Sequence, residues 1–407
     1  MAYTPLLSDA LRHAESSEIR DLLALIEKEK DIISFAGGLP ANESFPLKTI
    51  LKLSQDAIEK YGIKAVQYGT TEGVNELRHE LIKYMGNLGV KVDSIDEIVI
   101  TTGSQQGLQL CGRALIDPGD LVIVADPTYL AALSVWRWQR ASLRDVDVDH
   151  EGMKMNELER KLEQQPRPKF IYDVPTFSNP SGITMSIERR RQFVRLAHEH
   201  ETIIVEDDPY SALRYDGESV PPVKAFDNGS NSHVVYLGTF SKILAPGFRV
   251  GWMVGPPDLM KEMAKAKQSI DLCTSPFNQY IAALYLAESY FSEHIEKIKK
   301  IYKERRDVML KEMKDHFPAG IKWTHPEGGM FVWATCPEYV DTKELAKVAI
   351  KEKKVAYVSG ASFRVHGQTN NMRLNFSSSA PEKIEIGIEK LGELLTQEVE
   401  KGEKHHK

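Results

Sequence analysis

TIIVEDDPY (202–210) and HVVYLGTFSK (233–242) are short apolar runs that each end in a cluster of polar residues. Four other runs have the same build: EIVITTG (97–103), DLVIVADPTY (120–129), KFIYDVP (169–175) and FRVGWMVG (248–255). Amphipathic stretches at 104–115, 130–139 and 186–200 lie between the earlier ones. Nearly all-apolar strands separated by helices predict an α/β fold with a largely parallel sheet covered on both faces. Ligands in such sheets sit beyond the carboxyl ends of the strands. Ser104, Gln105, Tyr129, Asn179, Asp207, Tyr210, Ser241 and Lys242 all fall just after a run, and that coincidence says more than any one of them.

Upstream of this block, Ile19, Leu22, Leu23 and Ile26 are spaced for an amphipathic helix over 15–30. ISFAGGLPANESFP (33–46) reads as an extended Gly/Pro-rich segment, and a helix is expected at about 47–61. Downstream of residue 285 the texture changes. A long charged amphipathic region (286–317) is followed by strand-like GGMFVWATC (328–336), a helix at 342–353, strand-like VAYVSG (355–360) and NMRLNFS (371–377), and a closing helix at 381–397. The division predicted is an N-terminal helix and arm (1–46), a large domain (47–290) and a small α+β domain (291–407). The tail KGEKHHK is read as a solvated end.

The 407 residues carry 52 Lys plus Arg against 58 Asp plus Glu, a net charge of −6 that gives no reason to expect nucleic acid as a partner. A 42% hydrophobic share suits a large core and excludes disorder as the main state. The cysteines Cys111, Cys273 and Cys336 form no CxxC pair, which argues against a disulfide scaffold and a cysteine-rich zinc site. The first residues do not read as a signal peptide, and no stretch reaches the 18 or so apolar residues of a membrane span, so a cytoplasmic protein is expected. GxGxxG after a strand, GxxxxGK[ST], HExxH and EF-hand patterns are missing, which removes the usual grounds for a dinucleotide fold, a P-loop, a zinc protease or a calcium loop.

Lys242 is the centre of the chemistry. An amine in a dry pocket has its pKa drawn down and becomes a nucleophile toward a carbonyl. Asp207 ends an apolar strand, where an unpaired carboxylate is costly and a pyridinium nitrogen would suit it. Periodicity does not choose it over Glu206 or Asp208, and Asp208 fits a turn or helix cap. Asn179, held extended by the following proline, and the Tyr210 phenol can both hydrogen-bond a ring oxygen. Gly103, Ser104 and Gln105 stand at a helix start, where free N–H groups attract an anion, and Ser241 and Arg249 add a hydroxyl and a guanidinium. Tyr129 can lie over a flat ring. Arg373, facing inward from a strand, would need an anion such as a substrate carboxylate; facing outward, it would be a surface charge.

SNPSG, VEDDPY, TFSK and PGFRVGW in this order closely resemble the pyridoxal-phosphate (PLP) aminotransferases of fold type I, class I/II. SEIRDLLAL, ISFAGGLPANESFP and VQYGTTEGVNELR resemble the branch containing 2-aminoadipate, kynurenine and aromatic or multi-substrate aminotransferases. The resemblance spans essentially the whole chain. It implies a seven-stranded, mostly parallel sheet in the large domain. It implies that Lys242 carries the cofactor and later moves the proton from substrate Cα, that Asp207 pairs with the pyridine nitrogen, and that Asn179 and Tyr210 face the ring oxygen. Tyr129 would stack on the ring, and Ser104, Gln105, Ser241 and Arg249 would hold the phosphate. Tyr68 would reach the neighbouring subunit's phosphate, making a homodimer obligatory. Arg373 would grip the substrate α-carboxylate, with the Gly38 backbone nearby.

Arg20 would meet a distal acidic group, although Leu22, Leu23 and Ile26 would equally cover an aromatic or branched side chain. The expected activity moves an amino group from 2-aminoadipate, an aromatic or an aliphatic amino acid to 2-oxoglutarate by ping-pong exchange. The rivals are a β-lyase, decarboxylase or racemase on the same scaffold, and the aminotransferase-like effector domain of certain transcriptional regulators. The regulators carry a winged-helix module, for which the 15 residues before SSEIRDL are expected to leave no room.

Overall fold

The computed structural model describes residues 6–8, 11, 31–229, 231–367 and 369–405. The helix expected over 15–30, and Arg20 with it, lies outside them. Strands are numbered along the chain: β1 (Ile33–Ser34), β2 (Ile98–Thr101), β3 (Leu121–Asp126), β4 (Ser142–Asp149), β5 (Gly152–Met153), β6 (Pro168–Asp173), β7 (Ile203–Asp208), β8 (Val234–Thr239) and β9 (Gly251–Val254). The large sheet has the order β2-β9-β8-β7-β6-β3-β4-β5. From β8 to β4 every neighbouring pair is parallel, whereas β9 runs antiparallel to both β2 and β8.

The sheet therefore has eight strands rather than the seven expected. The additional one is β5, a two-residue return paired antiparallel with β4. Strand β4 itself, SLRDVDVD, is half-exposed and alternates apolar with charged residues, so it is not one of the apolar runs. In β2, β3, β8 and β9 every residue is buried, which is why they read as unbroken apolar stretches.

Helices cover both faces, and strand alternation decides which side chains meet which. Val122, Val124, Phe170, Tyr172 and Val205 pack with Leu108 and Trp136 from helices α3 (Ser104–Leu115) and α4 (Leu130–Trp138). Ile123, Ile171 and Ile204 pack with Leu158 and Phe193 from α5 (Met155–Leu162) and α6 (Ile187–Glu199). Helices α1 (Leu47–Tyr61) and α2 (Asn75–Asn87) precede these and pack on α8 (Pro276–Ala287), which follows α7 (Pro257–Gln268). The expected bounds for α3, α4 and α6 hold to within a residue. Ser186 caps α6 by accepting a hydrogen bond from the Arg189 N–H.

The smaller domain is an antiparallel sheet of order β10-β11-β14-β13, from β10 (Lys322–Trp323), β11 (Phe331–Thr335), β13 (Val358–Ser359) and β14 (Asn371–Asn375). Helices α9 (Tyr290–His316) and α11 (Pro381–His405) pack on each other, and α10 (Thr342–Val348) runs on into a π-helical turn over Ala349–Lys353. VAYVSG is not one strand. Val355–Ala356 (β12) pairs with β1, and Val358–Ser359 pairs with β14. Between them the buried Tyr357 anchors the bend by donating its O–H to the Thr342 carbonyl at 2.8 Å. Through β1 and β12 the extended segment from residue 33 is tied to this half of the molecule.

Candidate active site

The carboxyl ends of β6, β7 and β8 supply one wall of the site. Alternation along β7 separates three adjacent carboxylates. Both oxygens of Glu206 accept backbone N–H groups, from Val223 and Lys224. Asp208 accepts the Ser211 N–H at 3.0 Å and the Tyr236 O–H at 3.1 Å, the turn-capping role that its place before Pro209 suggests. Asp207 points the other way. Its Oδ2 accepts the Tyr172 O–H at 3.0 Å, and its Oδ1 is buried with no hydrogen-bond partner. Burial pushes its carboxyl up to about 7, the Tyr172 hydrogen bond pulling the other way and Asp208 adding to the rise. A protonated ring nitrogen at Oδ1 would supply both the missing donor and an opposite charge.

Lys242 stands just past β8, half-buried, and its Nζ donates to the Gly38 carbonyl at 2.8 Å. Burial, reinforced by the positive charges of Arg373 and Arg249, draws its amine down from 10.5 to about 8. At neutral pH a useful fraction is therefore the uncharged nucleophile. Tyr129 is the residue before α4, and burial, with Asp207 adding, pushes its phenol up to about 12. It remains a neutral, flat partner.

The groups expected to hold an anion lie beside Lys242. Gly103, at φ 75°, leads into the 12-residue helix α3 and leaves Ser104 as its first residue. A Cβ on Gly103 would stand 2.6 Å from Arg249 Nη2, so only glycine allows the guanidinium to close on the helix start. Arg249 is in the left-handed region at φ 51°, and Nη1 and Nη2 reach the carbonyls of Pro246 and Thr102 at 3.3 and 3.4 Å. Among the described residues no carboxylate pairs with it. Ser241 is oriented by Thr239, whose hydroxyl bonds its Oγ at 2.9 Å and accepts its N–H at 3.1 Å. Gln105 is exposed, whereas its neighbour Gln106 is buried, accepting the Thr102 N–H and donating to Asp271.

The opposite wall comes from the smaller domain. Arg373, 2% exposed on β14, faces inward. Its Nη1 donates to Asn179 Oδ1 at 2.8 Å and its Nη2 to the Ala36 carbonyl at 2.6 Å, while Nε is buried and unpartnered. Its guanidinium lies 4.3 Å from the Phe331 ring centre and 4.8 Å from that of Phe363. No carboxylate among the described residues neutralises it, and burial draws it down to about 10. Asn179 also hydrogen-bonds Tyr210, whose ring meets Phe331 edge-on at 6.0 Å. Burial raises the Tyr210 phenol far above its ordinary value.

Lys242, Asp207, Asn179, Tyr210, Tyr129, Gly38 and Arg373 thus line one site, with Ser104, Ser241 and Arg249 beside it. Tyr68 does not join them. It is 79% exposed, and Leu47, Leu51, Ile63 and Val66 are exposed on the same stretch of chain. Tyr172, Thr239, Phe331 and Phe363 escape the sequence reading because each orients another group. Tyr172 alone left a signal, since it sits at the polar end of an apolar run beside Asp173.

A buried carboxylate lacking a donor, a nucleophilic amine, a cradle for a dianion and an unpaired arginine are the complementary parts of a phosphorylated pyridine aldehyde and an amino acid. The family model for aminotransferase class I and II matches residues 30–391. The chain belongs to that family. It is 46% identical over 405 residues to aromatic-amino-acid aminotransferase 1 of Thermococcus litoralis, across 98% of this chain and 96% of that one. It superposes with a TM-score of 0.93 on the multiple substrate aminotransferase of Thermococcus profundus, at 44% identity, across 98% of this chain and all of that one. The kynurenine aminotransferase of Pyrococcus horikoshii, in complex with PMP, matches with the same score at 47% identity, covering 97% and 98% of the two chains. This aminotransferase uses PLP, which when bound supplies the electron sink that makes substrate Cα–H acidic.

Proposed function

We propose that this aminotransferase takes a broad set of amino donors, aromatic residues and 2-aminoadipate among them, and passes the amino group to 2-oxoglutarate. The observation that carries the reading is Arg373. It is a buried guanidinium with an open Nε, sandwiched between two phenylalanine rings beside the nucleophilic Lys242. A carboxylate completes such a guanidinium by charge-assisted hydrogen bonds, and aromatic walls tolerate several apolar side chains. The relatives named above act, by their names, on aromatic amino acids, kynurenine or multiple substrates, which points the same way.

The residues divide the work. Lys242 Nζ, once released, takes the proton from substrate Cα, with the Gly38 carbonyl as its resting partner. Asp207 holds the pyridine nitrogen protonated, and Asn179 and Tyr210 donate to the ring oxygen. Tyr129 covers the ring face. Ser104, Gln105, Ser241 and Arg249 bind the phosphate. Arg373 fixes the carboxylate so that the Cα–H bond stands toward the amine, and orientation of this kind supplies a large part of such rate gains.

Tyr68 and the exposed apolar residues at 47–66 fit the face of a homodimer in which Tyr68 reaches the phosphate of the neighbouring subunit. The division at 1–46, 47–290 and 291–407 is kept as part of this reading, supported by the two separate sheets and by the pairing of β1 with β12. Arg20 would meet the distal acid of a dicarboxylic donor. Among the described residues no helix is long and apolar enough to cross a membrane, which is compatible with a cytoplasmic enzyme.

The test is a screen of amino donors against 2-oxoglutarate, following glutamate formation. Phenylalanine, tyrosine, kynurenine and 2-aminoadipate are expected to turn over with kcat/KM within about a hundredfold of one another, the span an apolar pocket can produce. Turnover of a single donor class, or no glutamate from any, would refute the reading. Arg20→Ala is expected to lower kcat/KM for 2-aminoadipate far more than for phenylalanine, and an equal fall for both would rule out the distal-acid role.

A further inference from the structure

Asp126 and Arg364 form an ion pair, Nη1 to Oδ2 at 2.5 Å, with side chains 7% and 13% exposed. They come from opposite halves of the site. Asp126 ends β3 and opens the turn Asp126-Pro127-Thr128-Tyr129 that leads to Tyr129, the residue before α4. Arg364 adjoins Phe363, one of the two rings that bracket the Arg373 guanidinium. Two further bonds run alongside. The Thr128 N–H donates to the Phe363 carbonyl at 2.8 Å. Arg364 Nη2 donates at 3.0 Å to Asn371 Oδ1, on the same strand as Arg373.

This pair is poorly made for stability. Burial of two charges costs nearly as much as their attraction returns unless every polar atom is satisfied. Here Asp126 Oδ1, Thr128 Oγ1 and Arg364 Nε are all buried without partners. Burial, only partly opposed by Arg364, pushes the Asp126 carboxyl up to about 6. What the contact does achieve is geometry, since it joins the turn carrying Tyr129 to the residue beneath Arg373. Phe363 also meets Trp333 edge-on at 5.8 Å, so its ring is held from a third side.

We infer that Asp126 and Arg364 are positioning residues of the carboxylate site: their ion pair ties the Tyr129 turn to Phe363 and keeps that ring against Arg373 in the orientation that receives substrate. Neither touches the reacting atoms; both act through Phe363 and Tyr129. The inference rests on reading Arg373 as the carboxylate site. It goes further, because substrate affinity would depend on a charge pair that no substrate contacts.

The test compares holoenzyme variants Arg364→Gln, Asp126→Asn and their double with Arg373→Gln. The readouts are KM and kcat for phenylalanine, the inhibition constant of 3-phenylpropanoate (an unreactive carboxylate), and the unfolding midpoint of the apoprotein. Each single latch variant is expected to raise both KM and the inhibition constant about tenfold while kcat stays within about twofold, the split expected when ground-state binding is lost. The double should be no worse than the worse single, because both remove one interaction. Arg364→Lys, which keeps the charge opposite Asp126 without the fork to Asn371, should recover part of the affinity. Parent-like constants in Arg364→Gln, with Arg373→Gln raising them, would overturn the latch alone. Parent-like constants in Arg373→Gln would overturn the carboxylate reading and the latch with it. A lower unfolding midpoint with unchanged 3-phenylpropanoate affinity would mark the pair as structural and also overturn the inference.

Discussion

Asp207 and Arg373 are both buried charges with one polar atom left open, yet they stand on different scaffolds. Asp207 sits on β7, parallel-paired with β6 and β8, and its hydrogen-bond partner Tyr172 comes from the adjoining strand. Arg373 sits on β14 in a small antiparallel sheet and is held by Ala36, Asn179, Phe331 and Phe363, from four separate parts of the chain. The first wall is made by the sheet itself and, on the proposed roles, would set the cofactor's chemistry. The second is assembled from loops and strand ends and would set where the substrate lies. Changes on the Asp207 side should therefore appear in kcat, and changes on the Arg373 side in KM.

The sharpest way to break that contrast is Asp207→Asn. An amide keeps the shape but cannot hold the ring nitrogen protonated, so kcat should fall about 10²- to 10³-fold, the usual cost of losing one aimed electrostatic group. The inhibition constant of 3-phenylpropanoate should barely move. If that constant rose as far as kcat fell, the two walls would not be separable.

Reconstitution of apoprotein with PLP probes Lys242 by itself. Its amine is drawn below 10.5 to about 8, so below pH 8 the uncharged fraction grows roughly tenfold per pH unit and above pH 8 it levels off. The reconstitution rate, followed by absorbance, should rise with pH in the same way and bend near 8. A bend near 10.5, or no pH dependence, would remove the burial argument.

Tyr172→Phe has the smallest expected effect. It deletes one hydrogen bond to the Asp207 carboxylate, worth about 1.5 kcal/mol for a charged acceptor, or roughly tenfold in kcat. KM should stay constant, and a change in KM alone would place Tyr172 on the substrate side.

The same contrast explains what could be read from the chain alone. Asp207, Tyr210, Ser241 and Lys242 lie at the ends of consecutive apolar strands, so strand alternation and the rule for carboxyl ends bring them together before any coordinates exist. Choosing Asp207 over Glu206 and Asp208 needed the partners, since only Asp207 keeps an open oxygen. Strand β4 is hidden because it is half-exposed and broken by Arg and Asp rather than an apolar run, and the split of VAYVSG because its two halves pair with different strands, β1 and β14. The inward turn of Arg373 was undecidable from alternation alone. Phe331 and Phe363 look like ordinary core residues until Arg373 is found between them. Tyr68 and Arg20 stayed attached to the site by resemblance: one stands on the surface, the other outside the described residues.

The most direct test of the central claim is reduction of the PLP-loaded enzyme with borohydride, followed by mass spectrometry of its peptides. The account predicts one reduced cofactor per chain, covalently attached to Lys242, with the colour of the native protein lost on reduction. An adduct on another lysine, or a colourless enzyme with no adduct, would contradict it.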